Sequence, residues 1–398
     1  MPGIEQNTRK RWGERPWLTA ACDHALRRIV VRGPSRSVVP LSQIPRRLLV
    51  VKVHGMGDSV LVRSILEQFK SRCPEMHIGV LAGVGTVEIM TLNSDFSVHT
   101  YSQKERNLRS AFATLLEIRS SHYDAVLNFE QGSVAGTAFL AATGIPIQLG
   151  FVARGQGTKA HFLSHALQFD DNRSMWQSFV ALARLLDPGL TDSIGSFPIR
   201  CGPETEKWLE GWWRDHVGLC DKAAAIHLGS GRGMDFRRWP LERFAQLAEE
   251  LRHKLGTVSI VLTGIEAERH LIKRFMDEYS GHAVDASNLG RIERTIGVLR
   301  RCGLLVSNDT GVMHLGAAIG VPTVGLFGPN TPRHWAPIGP RATYVYDTAA
   351  PCSPCINNYI NRMPSLCVNV EKSRCMHDIS VASVLVAATR VVADGWMG

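Results

Sequence analysis

Short apolar runs, glycine-bearing turns and amphipathic stretches alternate along most of the chain. Leu48 to Val53 reads as a first buried strand. His54-Gly-Met-Gly-Asp58 is a glycine-rich turn, and Ser59 to Arg72 predicts a helix with Val60, Leu61, Ile65 and Phe69 on its apolar positions. The alternation continues with a strand over Ile78 to Leu81, a helix over Val84 to Leu92 and a strand over Val98 to Tyr101. A helix follows over Leu108 to Ser120. Next come a strand over Tyr123 to Phe129, the loop Glu130-Gln131-Gly132, a helix over Ser133 to Thr143 and a strand over Gln148 to Phe151. Asp187-Pro-Gly through Cys201-Gly-Pro203 is rich in turn formers and marks a domain boundary. Beyond it the rhythm restarts. Strands are expected at Ala223 to His227, Val258 to Thr263 and Ala283 to Ala286, and helices at Leu241 to Lys254, from Glu266, and at Ile292 to Arg300. This is the βαβ pattern of an α/β chain with two doubly wound, Rossmann-like domains, whose facing strand edges would leave a cleft.

The stretch from Val306 to Pro329 is the richest in chemistry. Leu304 to Ser307 predicts a strand, Met313 to Ile319 a small-residue helix ended by Gly320, and Pro322 to Phe327 the next strand. Thr310 is placed to cap the helix with its hydroxyl. Gly311 lets a ligand approach the backbone closely. Free N–H groups at a helix start suit an anion, typically phosphate, and His314 lies one turn further on. A capped crossover turn alone would account for Asp309 and Thr310. The grouping of Asp, Thr, Gly and His, with Gly328-Pro329 opening a second loop at the same sheet edge, favours a ligand site outside the carboxyl ends of the strands. Asp58 also sits at a helix start beside the carboxyl end of a strand. It is either an N-cap or a group facing that anion site once the two halves close. Gly55 and Gly57 do not complete a dinucleotide-binding pattern.

Composition narrows the classes. The 398 residues are 44% hydrophobic and 20% charged, as in a globular protein with a good core, and the length suggests two domains. No apolar run approaches bilayer-spanning length, and Met1 to Lys10 carries no apolar signal core, so a cytoplasmic protein is expected. The formal charge of +9 fits an anionic partner: a nucleotide, a nucleic acid or an anionic membrane surface. Residues 1–47 hold ten Arg or Lys against three acids, a basic extension without the aromatic platforms or recognition helix of a nucleic-acid binder. Four of the nine cysteines fall close together: Cys352, Cys355, Cys367 and Cys375. They could supply four thiolates to one structural metal such as zinc, or stand as reduced thiols in a loop.

Five motifs, in register over roughly residues 48–395, resemble glycosyltransferase family 9, the bacterial heptosyltransferases of GT-B fold. They are Val51-Lys-Val-His-Gly-Met-Gly-Asp58, Tyr123 to Phe129, His227-Leu-Gly-Ser230 with Arg238-Trp-Pro240, Leu262-Thr-Gly264 with Glu268, and Asn308 to His314 through Phe327-Gly-Pro329. The resemblance implies an acceptor-binding domain over 48–200 and a nucleotide-sugar-binding domain over 201–378 that contains the Cys-rich loop 351–376. A final helix, 379–398, is then expected to cross back to the first domain. It implies inverting transfer of a sugar, heptose from ADP-heptose, to a hydroxyl of a lipopolysaccharide core or related cell-surface glycan met at the inner membrane, without a metal in the chemistry. Asp58 takes the position of the general base, flanked by the acceptor-side Gly55 and Gly57. Ser230 and the Arg237–Arg238 pair match the phosphate-contacting region, and Glu268 the nucleoside position. Thr310, Gly311 and His314 match the β-phosphate site. Asp309 either contacts the donor sugar or holds the turn. Arg238 stands where the family often has Lys. A related branch that heptosylates proteins carries a four-cysteine iron site, which adds iron to zinc and protein to glycan or glycolipid as acceptor. A nucleotide-sugar epimerase or hydrolase, and a non-catalytic scaffold, are the remaining classes.

Overall fold

The computed structural model describes residues 41–392 apart from 42, 102–107, 154–155, 194–200, 219–221, 232, 256–258, 347–349, 357–363, 365, 368 and 370. Nearly all of the basic extension, and the end of the C-terminal segment, lie outside the described residues. The chain divides into two compact units, the boundary falling after Ser193.

The first unit is a parallel sheet of β1 (Arg47–Lys52), β2 (His77–Gly83), β3 (Ser97–Tyr101), β4 (Ala125–Asn128), β5 (Ile147–Val152) and β6 (His165–Gln168) in the order β3-β2-β1-β4-β5-β6. Leu48, Leu49, Val50, Val126 and Leu127 are fully buried, as expected of strands covered on both faces. Helix α1 (Met56–Arg72) follows β1 and starts three residues earlier than its apolar periodicity suggested. Gly55 stands before it at φ +84°, a conformation that favours glycine, so the helix begins directly after the turn and Asp58 lies inside its first turn. The remaining described helices of this unit are α2 (Val87–Thr91), α3 (Leu108–Ser120), α4 (Val134–Ala142), α5 (Gly157–Ala160) and α6 (Met175–Ala183).

The second unit repeats the plan with β7 (Ala223–His227), β8 (Ser259–Gly264), β9 (Ala283–Ser287), β10 (Leu304–Asn308), β11 (Thr323–Phe327) and β12 (Ala342–Tyr346), in the order β12-β11-β10-β7-β8-β9, again parallel. Its helices are α7 (Pro203–His216), α8 (Leu241–Leu255), α9 (Arg269–Glu278), α10 (Ile292–Arg301), α11 (Gly311–Ala318), α12 (Pro332–Trp335), α13 (Arg374–His377) and α14 (Val381–Val391). Of the segment 379–398 expected to cross back to the first domain, residues 393–398 lie outside the described residues, and its described helix is α14. Its buried face (Val384, Leu385, Ala387, Ala388, Val391) joins the core of the second unit, packing on α8, β11 and β12. That apolar face is best buried where it already meets Leu304, Val324 and Leu326. No described helix is long and apolar enough to cross a membrane.

Candidate active site

In the first unit the strand order turns between β1 and β4: β2 and β3 lie on one side, β5 and β6 on the other. Ligand sites of doubly wound sheets form at the carboxyl end of this switch point. Here it carries a buried charge cluster. Lys52, only 3% exposed, ends β1. Its Nζ lies 2.8 Å from Asp58 Oδ2 and 3.3 Å from Glu130 Oε1. Burial alone would lower the Lys52 pKa, but the two carboxylates outweigh it and the net shift is upward. Glu130 Oε1 also accepts backbone N–H bonds from Val53 (2.8 Å) and His54 (2.9 Å), and His54 Nδ1 lies 3.5 Å from Oε2. Burial would raise the Glu130 carboxyl, yet Lys52 and His54 hold it well below the usual carboxylate range. Glu130, which reads as a loop acid in the sequence, is thus a structural anion of the cluster. Lys159 of α5, fully buried, donates to the carbonyls of Glu130 (2.9 Å) and Gln131 (3.0 Å), and burial pushes its amine down to about 8. Gly55 and Gly57 frame Asp58: a Cβ on Gly55 would sit 3.3 Å from Asp58 Oδ2, and Gly57 is the residue before Asp58 in the first turn of α1.

In the second unit the order turns between β7 and β10. Asn308, at the end of β10, ties two loops together. Its Nδ2 donates to the carbonyls of Leu228 and Gly229 (3.0 Å each), and its Oδ1 accepts from the Trp239 N–H (2.9 Å). Asp309 holds the turn: Oδ2 lies 2.6 Å from Arg237 Nη2 and accepts from Asn330 Nδ2 at 2.8 Å, while Arg237 also donates to the Asp309 carbonyl. The expected Thr310 cap is not made. Its backbone is extended and its hydroxyl pairs with Ser307 Oγ at 3.1 Å, so no side-chain cap covers the start of α11 at Gly311. Ser230 Oγ, Arg237 Nε and Arg238 Nε are buried without a hydrogen-bond partner within the described structure. Arg238 Nη2 reaches Asp235 at 3.1 Å. His314 is buried in α11, edge-on to Trp335 with ring centroids 6.4 Å apart. Glu268, in the loop after β8, is 5% exposed and accepts the Ile265 N–H at 3.2 Å. Its carboxylate packs so closely on Gly229 that a Cβ there would lie 2.1 Å from Oε1. Trp239 is core, its Nε1 donating to the Ile379 carbonyl at 3.0 Å.

The loop bearing Cys352 and Cys355 docks on the Gly328–Pro329 turn at the end of β11. The N–H groups of Cys355 and Ile356 donate to the Pro329 carbonyl at 2.9 Å each, and Ser353 Oγ to that of Gly328 at 2.5 Å. Cys375 Sγ would lie 2.9 Å from a Cβ on Gly328. Cys352, Cys355, Cys367 and Cys375 share one neighbourhood: burial first, then Cys355, Cys352 and Cys367, push the Cys375 thiol up to about 12. They are free thiols, and Cys367 Sγ accepts the Ser373 N–H at 3.2 Å. Among the described residues no group of three or more His, Cys, Asp or Glu is gathered closely enough to hold a metal ion.

Asp58 thus lies at the switch point of the first sheet. Ser230, Arg238, Glu268, Asp309, Thr310, Gly311 and His314 come from the loops and the helix start that follow β7, β8 and β10 of the second. Sequence reasoning missed Lys159 and Asn330, and it gave Lys52, Asn308 and Glu130 no role of their own. The one available signal was a lysine inside an otherwise apolar strand.

Two parallel α/β units, each with a polar site at its own switch point, are the architecture of a GT-B protein. The family model of glycosyltransferase family 9 (heptosyltransferase) matches residues 112–362, and the chain belongs to this family. The lipooligosaccharide heptosyltransferase 2 of Haemophilus influenzae is 25% identical over 111 residues, which is 27% of this chain. That match spans about a third (32%) of the relative's length. Among solved structures, a family 9 glycosyl transferase from Veillonella parvula superposes with TM-score 0.72 at 22% identity, covering 87% of this chain and 97% of that one. The ADP-heptose lipopolysaccharide heptosyltransferase II of E. coli gives 0.65 at 17% identity, covering 87% and 98%. These likenesses are of fold.

Proposed function

We propose that the protein is an inverting glycosyltransferase that moves heptose from ADP-heptose to a hydroxyl of a lipopolysaccharide core or related cell-surface glycan, in the cytoplasm at the inner face of the membrane. The observation that carries the reading is the set of buried donors without partners, Ser230 Oγ, Arg237 Nε and Arg238 Nε, beside an uncapped helix start. Buried polar groups are rarely left unmatched unless a ligand, ion or ordered water completes them, and an uncapped helix start with adjacent guanidinium groups suits a diphosphate. Family membership and the ADP-heptose enzyme among the structural neighbours favour this donor.

In the proposed reaction Asp58 accepts the proton of the acceptor hydroxyl. The freed oxygen pair attacks the anomeric carbon from the face opposite the nucleotide, and the bond from that carbon to the β-phosphate oxygen breaks with its electron pair, releasing ADP. Ser230, Arg238, Thr310, Gly311 and His314 hold the diphosphate as its charge grows. Glu268 accepts hydroxyls of the nucleoside, and Asp309 fixes the turn. No step is routed through a metal.

Two measurements test the donor site. ADP should raise the melting temperature of the wild type more than UDP, GDP or dTDP do, because a ligand of the folded state stabilises by mass action. In Arg238→Gln the rise should shrink, with affinity weaker by about tenfold, or about 1.4 kcal/mol. Equal response to all four nucleotides would remove ADP as the donor's nucleotide, and no response to any would remove the donor site and leave a scaffold in its place. Gly229→Ala should displace the Glu268 carboxylate. Its ADP affinity, read by calorimetry, should fall while the melting temperature of the free protein changes by only a few degrees. Retained affinity would exclude Glu268 from the nucleoside site.

A further inference from the structure

We propose that Lys52 and Glu130 form a charge clamp that sets the basicity of Asp58, with Glu130 serving as the counter-ion that keeps Lys52 compensated while Asp58 takes a proton. The mechanistic meaning rests on the reading of Asp58 as the base; the clamp itself rests on the geometry of the first unit alone.

A buried lysine 2.8 Å from a carboxylate favours the ionised carboxylate. With Lys52 as sole partner, Asp58 would be a poor base, since protonating it would strand an uncompensated buried ammonium. Such stranded charges are costly. Glu130 removes that cost. It lies 3.3 Å from the same ammonium, and the N–H groups of Val53 and His54 fix it in place. With Asp58, Lys52 and Glu130 ionised, these three groups carry one net negative charge. When a proton passes from the acceptor oxygen to Asp58 they become neutral, and Lys52 retains a partner. Without Glu130 the same transfer would run from neutral to positive. Further groups among the described residues face the cluster. Lys159 approaches Glu130 from α5 through the Glu130 and Gln131 carbonyls, and His54 faces Glu130 Oε2. Both contacts are made on the Glu130 side of the cluster. Lys52 and Glu130 are positioning residues: they act through Asp58.

Two isosteric or near-isosteric changes push Asp58 in opposite directions. Lys52→Met removes the cation and should raise the Asp58 pKa by roughly one to three units. Glu130→Gln keeps an oxygen to accept the Val53 and His54 N–H groups but removes the negative charge, and should lower the Asp58 pKa by about one unit. The Asp58 titration is read by carboxyl 13C NMR on aspartate-labelled full-length protein, its resonance assigned by absence in Asp58→Asn. The acid limb of the pH–rate profile for ADP release from ADP-heptose, with a lipopolysaccharide core oligosaccharide as acceptor, should follow the same two directions. A purely structural role would lower activity in both variants and leave the Asp58 titration in place, and that result overturns the clamp. So does a shift of the same sign in both. If Lys52→Met fails to fold, the downward shift in Glu130→Gln decides alone: its presence supports the clamp and its absence overturns it. Opposite NMR shifts with an unmoved acid limb would uphold the clamp and reject Asp58 as the base.

Discussion

Asp58→Asn is expected to lower kcat by about two to four orders of magnitude, the usual contribution of a positioned general base, with little change in the KM for ADP-heptose. The donor contacts proposed above all come from the second unit, whereas Asp58 lies at the carboxyl end of β1 in the first. The variant should fold, because Lys52 keeps Glu130 as its counter-ion at 3.3 Å and the asparagine carbonyl can still accept from Lys52. Steady-state kinetics with near-ultraviolet circular dichroism as the folding control check both halves of the expectation. A rate within about threefold of wild type would move the proton to another acceptor and reject the proposed role. Asp58→Glu should recover little, because the added methylene moves the carboxylate off the Lys52 ammonium within a turn that Gly55 keeps tight.

The contrast between Asp58 and its neighbours shows what the linear chain makes legible. The strands were readable because the sheets are covered on both faces, so Ala223 to Ile226 and Leu304 to Val306 appear as unbroken apolar runs that open their strands. The stretch from 152 to 186 was not. Its strand His165–Gln168 alternates partly buried with exposed residues and its helix Gly157–Ala160 is a single turn, too short for periodicity to register. Asp58 could be named because a carboxylate after a glycine turn is visible locally. Its partners could not: Glu130 is 72 residues away, and it meets Lys52 only because β4 pairs with β1, a neighbour relation set by strand order. The same holds for Asp309, whose partners Arg237 and Asn330 arrive from the loops after β7 and β11. Thr310 shows the opposite failure. Its local propensity pointed to a cap, but Ser307 lies within reach of the hydroxyl and takes it, so the helix start stays open.

Asp309→Ala should be the most destabilising single change in the second unit's site. Asp309 and Arg237 form a pair whose side chains are 8% and 18% exposed, and Asp309 Oδ2 also accepts from Asn330. Removing one partner of a buried pair leaves the other charge uncompensated, a loss of about 3–5 kcal/mol. For a unit of this size that corresponds to a melting temperature lower by on the order of 10 °C. Asp309→Asn separates charge from hydrogen bonding. Its amide oxygen can accept from Arg237 and Asn330, so it should fall between wild type and the alanine variant. The damage should also reach the nucleotide. Arg237 Nε is already one of the buried donors without a partner, and freeing the rest of its guanidinium would let it swing toward a bound diphosphate or away from it. The weaker the turn, the less the start of α11 is held against the loop bearing Ser230, because Asn308 and Asp309 together tie that loop to β10. ADP affinity should therefore fall in the order wild type, Asn, Ala, in parallel with stability. Equal stability of all three proteins by thermal or urea unfolding would show that Arg237 finds solvent when its partner is lost, and that Asp309 does not hold the turn.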